Sequence, residues 1–223
     1  DGTGEWLELS LRNPAIAARF SSEAEMLTYT RIAADLAGAT PMDRPEWTSV
    51  GADGTVYCTL TNNSRREEAD AANPQAPNPD GHIIRWRDSN RHVGRSFTWE
   101  IFLLSSDTHG TERSVASPDG IWVDPDNRVF IQTDGAQKDG LNDQLLIANG
   151  NQSGDDIEIS RLFTGVTDCE VTGIAVTPNR RTLFVNLQHP GNGDPSVTNF
   201  PAAQGSGTIP RDCTIVITRK DGG

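Results

Sequence analysis

The chain has 223 residues and a formal net charge of −12, a field that repels nucleic acid, whose binding needs Lys and Arg to neutralise phosphates. No run of eighteen apolar residues occurs, so no segment reads as a membrane-spanning helix. With 21 Gly, 13 Pro and only 35% apolar residues, the composition favours many turns and short strands over long helices.

The opening Asp1-Gly2-Thr3-Gly4-Glu5-Trp6 carries no signal peptide and reads like the interior of a larger protein. One short helix is predicted near the N-terminus, from Ser22 to Leu36. Ser22 with Glu25 three residues later forms a capping-box pattern, and Met26, Leu27, Ile32, Ala33 and Leu36 follow at roughly helical spacing. Gly38 and Pro41 end it.

Beyond Pro41 the texture changes. Three segments, Glu46–Leu60, Asp119–Gln132 and Val171–Asn186, each read as a short strand, a tight turn rich in Asp, Asn, Gly or Pro, and a second strand of β-branched and aromatic residues. Registered on Val56, Val129 and Leu183, the repeats are 73 and 54 residues apart. Both spacings exceed a four-stranded propeller blade of about 40 to 50 residues, so loops are inserted. The polar stretch from Arg65 to Pro79 is one such insertion. His82–Trp86, Thr98–Leu104 and Gln144–Ile147 supply outer strands, and the segment from Cys213 to Gly223 reads as a last strand with its exit turn. The fold class is therefore all-β, a partial β-propeller of about three blades in a single domain over 1–223, with an irregular β-sandwich as the rival. Closed propellers have about four to eight blades, so more of the ring is expected on the N-terminal side.

Chemistry concentrates where each repeat begins. In Met42-Asp43-Arg44-Pro45-Glu46-Trp47, the proline fixes its own φ and biases Arg44 to an extended backbone, with Arg44 and Glu46 flanking the rigid point. Asp119 stands ten residues before Val129, as Glu46 stands ten before Val56; the third repeat has Gly173 there and Glu170 three residues earlier. Carboxylates converging on a channel need a cation between them, and calcium takes oxygens of this kind. The plainer alternatives are a surface Arg44–Glu46 ion pair, a Pro118-Asp119-Gly120 turn and a solvated Glu170. Glu46 and Glu170, 124 residues apart in sequence, are expected to approach one another across the channel. His189, just after a strand and near a propeller face, reads as a loop histidine bonded to backbone, with a place lining the site as the alternative. Cys58, Cys169 and Cys213 lack a CxxC pair, which excludes a zinc finger, and an odd count of three permits at most one disulfide.

The stretch Met42–Trp47, followed by Cys58-Thr59-Leu60-Thr61-Asn62-Asn63, Asn78-Pro79-Asp80-Gly81-His82-Ile83, Ser117–Trp122 and Asp168–Gly173, resembles the PhoX alkaline phosphatase family. The resemblance covers nearly the whole chain. It implies the C-terminal part of a larger β-propeller phosphatase, exported through the twin-arginine route to the periplasm or medium, that uses calcium and iron to hydrolyse small phosphomonoesters. On that reading Arg44 binds phosphate, and Glu46, Glu170 and Asp119 are metal ligands. The iron ligands, a cysteine among them, come largely from an N-terminal half with no counterpart here. The chain alone is then expected to be a poor phosphatase, associating with that half or with itself. A calcium-binding propeller module without catalysis and a propeller lactonase or esterase are the alternatives.

Overall fold

The computed structural model describes residues 2–220. Its strands form three antiparallel sheets. The first contains β1 (Gly2–Glu5), β2 (Pro45–Val50), β3 (Val56–Leu60), β4 (His82–Asp88) and β5 (Ser96–Leu104), in the spatial order β1-β5-β4-β3-β2. The second runs β6 (Pro118–Val123), β7 (Arg128–Thr133), β8 (Gln144–Asn149) and β9 (Ile159–Thr164). The third runs β10 (Glu170–Val176), β11 (Thr182–Gln188) and β12 (Cys213–Thr218). The exit turn expected at 221–223 lies outside the described residues.

The three predicted repeats are the hairpins β2–β3, β6–β7 and β10–β11. Val50 pairs with Val56, Val123 with Val129 and Val176 with Leu183, which confirms the registration. The edge strands β2, β6 and β10 lie beside one another, so the sheets fan out from them like blades from an axis. Strand alternation supplies the two faces each blade needs. On β7, Val129 and Ile131 pack towards the first sheet with Tyr57, Ile83 and Phe102. Phe130, between them, packs towards the third sheet with Val171, Val185 and Leu187. The architecture is a partial propeller.

The N-terminal helical segment departs from expectation. Instead of one helix over Ser22–Leu36 there are α2 (Glu23–Thr28) and α3 (Thr30–Ala37), preceded by α1 (Pro14–Arg19). Tyr29 breaks the run with φ −108° and ψ 42°. The flanking Thr28 and Thr30 hydroxyls donate to the Ala24 and Leu27 carbonyls, and such local bonds from β-branched residues compete with a continuous helix. The capping residue is as predicted, with the Glu25 amide donating to Ser22 Oγ, and Gly38 closes α3 at φ +79°. The three helices bury Ile16, Phe20, Met26 and Ala33 in a core of their own.

Candidate functional site

Each inner strand carries a one-residue bulge near its start. Pro45 and Thr48 oppose Leu60 and Cys58, Pro118 and Ile121 oppose Thr133 and Ile131, and Thr172 and Ile174 oppose Asn186 and Val185. A bulge leaves one residue out of the ladder and turns the side chains around it, so bulges concentrate beside sites. Glu46 lies inside the first bulge and Asp119 inside the second. In the third, Gly173 is the extra residue, at φ +59°, where an added Cβ would meet the Asn186 side chain at 2.7 Å. The ten-residue count therefore lands on the bulge itself, and the acidic side chain comes instead from Glu170, opposite Gln188 at the strand's first position.

Arg44 departs from the extended backbone predicted for the residue before Pro45. It sits at φ +51°, a left-handed conformation that is strained for a side chain with Cβ. Two backbone hydrogen bonds hold it: its amide donates to the Met42 carbonyl at 3.1 Å and its carbonyl accepts from the Thr61 amide at 3.1 Å. Beneath it, Asp43 is fully buried and accepts from Arg66 Nε at 2.5 Å, Asn63 Nδ2 at 2.9 Å and Asn78 Nδ2 at 2.9 Å. Burial pushes the Asp43 carboxyl up, but the bonds from Asn78, Arg66 and Asn63 outweigh it and hold the group below the usual carboxylate range. The polar insertion between β3 and β4 is thus tied down under Arg44.

The Arg44 guanidinium reaches two carboxylates, with Nε 3.0 Å from Glu46 Oε1 and a terminal nitrogen 3.1 Å from Asp134 Oδ2. Asp134 continues the cluster, since one oxygen each of Asp134 and Glu170 and a ring nitrogen of His189 all lie within 4.8 Å of one another. His189 Nε2 is 3.3 Å from Glu170 Oε2, which also accepts from Gln188 Nε2 at 3.0 Å. Asp119 is only 7% exposed, and among the described residues its carboxylate has no hydrogen-bond or ion-pair partner. Burial, followed by the charges of Glu46, Glu170 and Asp134, pushes it up to about 7 against the opposing pull of Arg44. The four residues singled out from sequence therefore converge on one place.

Asp134 was missed, and His189, read first as a loop histidine bonded to backbone, instead turns its ring to Glu170, with Nδ1 left without a hydrogen-bond partner among the described residues. Asp134 and His189 both stand just past the end of the second strand of a hairpin, Asp134 after Thr133 and His189 after Gln188. Aligning the residues that follow those strands would have found them. The cysteines do not join the cluster. Burial pushes the Cys58 and Cys169 thiols up to about 11 and about 12, so both stay protonated, and Cys169 packs in the apolar core between the second and third sheets.

The family model for the alkaline phosphatase PhoX matches residues 1–191. The chain belongs to the PhoX alkaline phosphatase family. Among solved structures, Pseudomonas fluorescens PhoX in complex with vanadate, a transition state analogue, is 38% identical and superposes with a TM-score of 0.86. The match covers 100% of this chain and 42% of that one. A search of curated proteins finds no significant match. No helix among the described residues is long and apolar enough to cross a membrane.

Proposed function

We propose that this PhoX-family chain carries the arginine and part of the metal shell of a phosphomonoesterase site, as the C-terminal part of a longer, exported β-propeller enzyme of the periplasm or medium. The observation that carries the reading is Asp119. A buried carboxylate without a partner, facing three further carboxylates, is costly unless a cation sits among them. The oxygen-rich set of Glu46, Asp119 and Glu170, with Asp134 beside them, suits calcium. Iron would take its remaining ligands from outside this chain. When bound, the metals supply Lewis acidity at the phosphoryl oxygens.

Arg44 binds the phosphate. Its planar fork matches two phosphoryl oxygens as a lysine does not, and phosphoryl transfer depends on such positioning and on stabilising charge at those oxygens. Glu46 and Asp134 hold the fork in place at the cluster. A lactonase has no need of that clamp, which favours the phosphatase reading over the lactonase or esterase.

The 223-residue chain is a poor phosphatase by itself, since it spans 42% of the PhoX chain it matches and shows three sheets of a ring. Phe184 and Val216 pair across β11 and β12 and are 37% and 56% exposed, an apolar pair between the polar pairs Thr182–Thr218 and Asn186–Thr214 where the rest of the longer protein or a second copy would pack. The test compares hydrolysis of a phosphomonoester and of a lactone, with calcium and iron added, by this chain and by a longer protein containing it. The longer protein should hydrolyse the phosphomonoester alone, and Arg44→Ala should abolish most of that activity. Full activity in Arg44→Ala, or equal turnover by the short and long proteins, would refute the assignment.

A further inference from the structure

Two buried polar side chains repeat at one register position. Thr59 stands three residues after Val56 on β3, and Gln132 three after Val129 on β7; both are fully buried. Each reaches from its own hairpin to the bulge of the following inner strand. The Trp47 amide donates to Thr59 Oγ1 at 3.0 Å, and the same hydroxyl donates to the Asp119 carbonyl at 2.5 Å. One hydroxyl thus links the bulge holding Glu46 to the bulge holding Asp119. Gln132 Nε2 donates to the Gly173 carbonyl at 3.1 Å, while its Oε1 lies against Gly120, where an added Cβ would come within 2.4 Å. Gln132 thereby ties the second hairpin to the third bulge through one hydrogen bond, and its Oε1 packs on Gly120 with no hydrogen-bond partner among the described residues.

These contacts engage the main chain where a bulge leaves groups outside the ladder. They fix backbone to backbone across neighbouring blades, immediately beside the acidic side chains. Discrimination among hard cations is a matter of cavity size and rigidity, and both depend here on how far apart the bulges are held.

We propose that Thr59 and Gln132 are positioning residues that set the spacing of Glu46, Asp119 and Glu170, and with it the radius of the cation the cluster accepts. The inference rests on the cation reading of the cluster. It assigns the pins a role in ion selectivity beyond holding the blades together.

The probe is the series of trivalent lanthanides, whose radius falls steadily along the row, with calcium alongside, titrated into the 223-residue chain. The wild type should bind best at one radius. Thr59→Val keeps the shape and removes both hydrogen bonds; it should weaken binding by about tenfold to a hundredfold, as loss of supporting shells does, and flatten the preference. Thr59→Ser should restore the wild-type profile, and Gln132→Met should flatten it as Thr59→Val does. Val129→Ala, in the core between the first two sheets, should lower the melting temperature without changing the profile's shape. An unchanged profile in Thr59→Val, or equal flattening in Val129→Ala, overturns the inference, as does a wild type that binds every ion equally. A wild type that binds no ion at all overturns the cation reading and the inference together.

Discussion

Asp43 and Asp119 introduce neighbouring sheets, and both are buried, yet their surroundings differ in kind. Asp43 gathers three side-chain donors, one of them the guanidinium of Arg66. Asp119 gathers none among the described residues and faces three carboxylates. The first arrangement is complete within the chain and holds the insertion between β3 and β4 in place. The second has Arg44 as its one nearby cation among the described residues, paired to Glu46 and Asp134, and on the function proposed above a metal completes it. Buried charge alone does not distinguish structure from function here; satisfaction of that charge does.

The sharpest test removes each carboxylate in turn from the metal-free chain. Asp43→Ala leaves Arg66 Nε and the Asn63 and Asn78 amides without their acceptor, although Arg66 keeps Asp70 and the Pro41 carbonyl, and should cost about 1–3 kcal/mol in urea denaturation. Asp119→Asn removes like-charge repulsion and should leave stability unchanged or raised. Equal losses in the two variants would erase the distinction.

Adding calcium should reverse the ranking. At a hundredfold excess over its dissociation constant, calcium should stabilise the wild type by about 2.7 kcal/mol and Asp119→Asn by much less, while Asp43→Ala keeps its response if it stays folded. A calcium response in Asp119→Asn that matches the wild type would mean the cluster binds elsewhere.

The next effect is a pH dependence. Asp143 accepts from Thr133 Oγ1, the Gly135 amide and Gln137 Nε2 through one oxygen, and burial pushes its carboxyl up from 3.8 to about 7. A raised folded pKa contributes stability that is fully present below about 3.8 and lost as pH rises through about 7. The stability of wild type relative to Asp143→Asn should therefore fall between pH 4 and 7, by at most about 1.4 kcal/mol per pH unit, and level off above. A difference that grows with pH would contradict the assignment.

The smallest effect on stability belongs to Arg44→Ala. Its guanidinium is 45% exposed, and ion pairs of that kind contribute about 0–1 kcal/mol. Vanadate binding by a longer protein that contains the chain should nonetheless be lost. A stability loss of several kcal/mol would recast Arg44 as a structural residue.

Much of this was legible in the sequence. The three hairpins could be registered to the residue because their turns are marked by Asp, Asn, Gly and Pro between runs of alternating β-branched side chains. The proximity of Glu46, Asp119 and Glu170 was legible because all three precede those runs. β1 was not foreseen, since Gly2-Thr3-Gly4-Glu5 has no strand signal and is held only by pairing with β5. The bulges were invisible, because an extra residue in a strand changes the pairing without changing the composition. Asp134 and His189 lie just beyond the strands, where periodicity stops, and only sheet pairing brings them to Glu170. The left-handed backbone of Arg44 opposed the local preference imposed by Pro45 and is held by a bond to Met42, two residues back, and by one from Thr61, seventeen residues on, of which only the second is tertiary context.

The bulge has a consequence for how such a molecule changes over generations. An inserted residue reverses the inside–outside parity of everything before it while leaving everything after it in phase with the blade. The first few positions of each inner strand are thereby uncoupled from the packing code of the remainder. Replacements at Glu46, Asp119 or Glu170 need no compensating change among Val50, Val123 or Val176. The lineage is free to retune its chemistry at the axis while the sheets that carry it stay as they are.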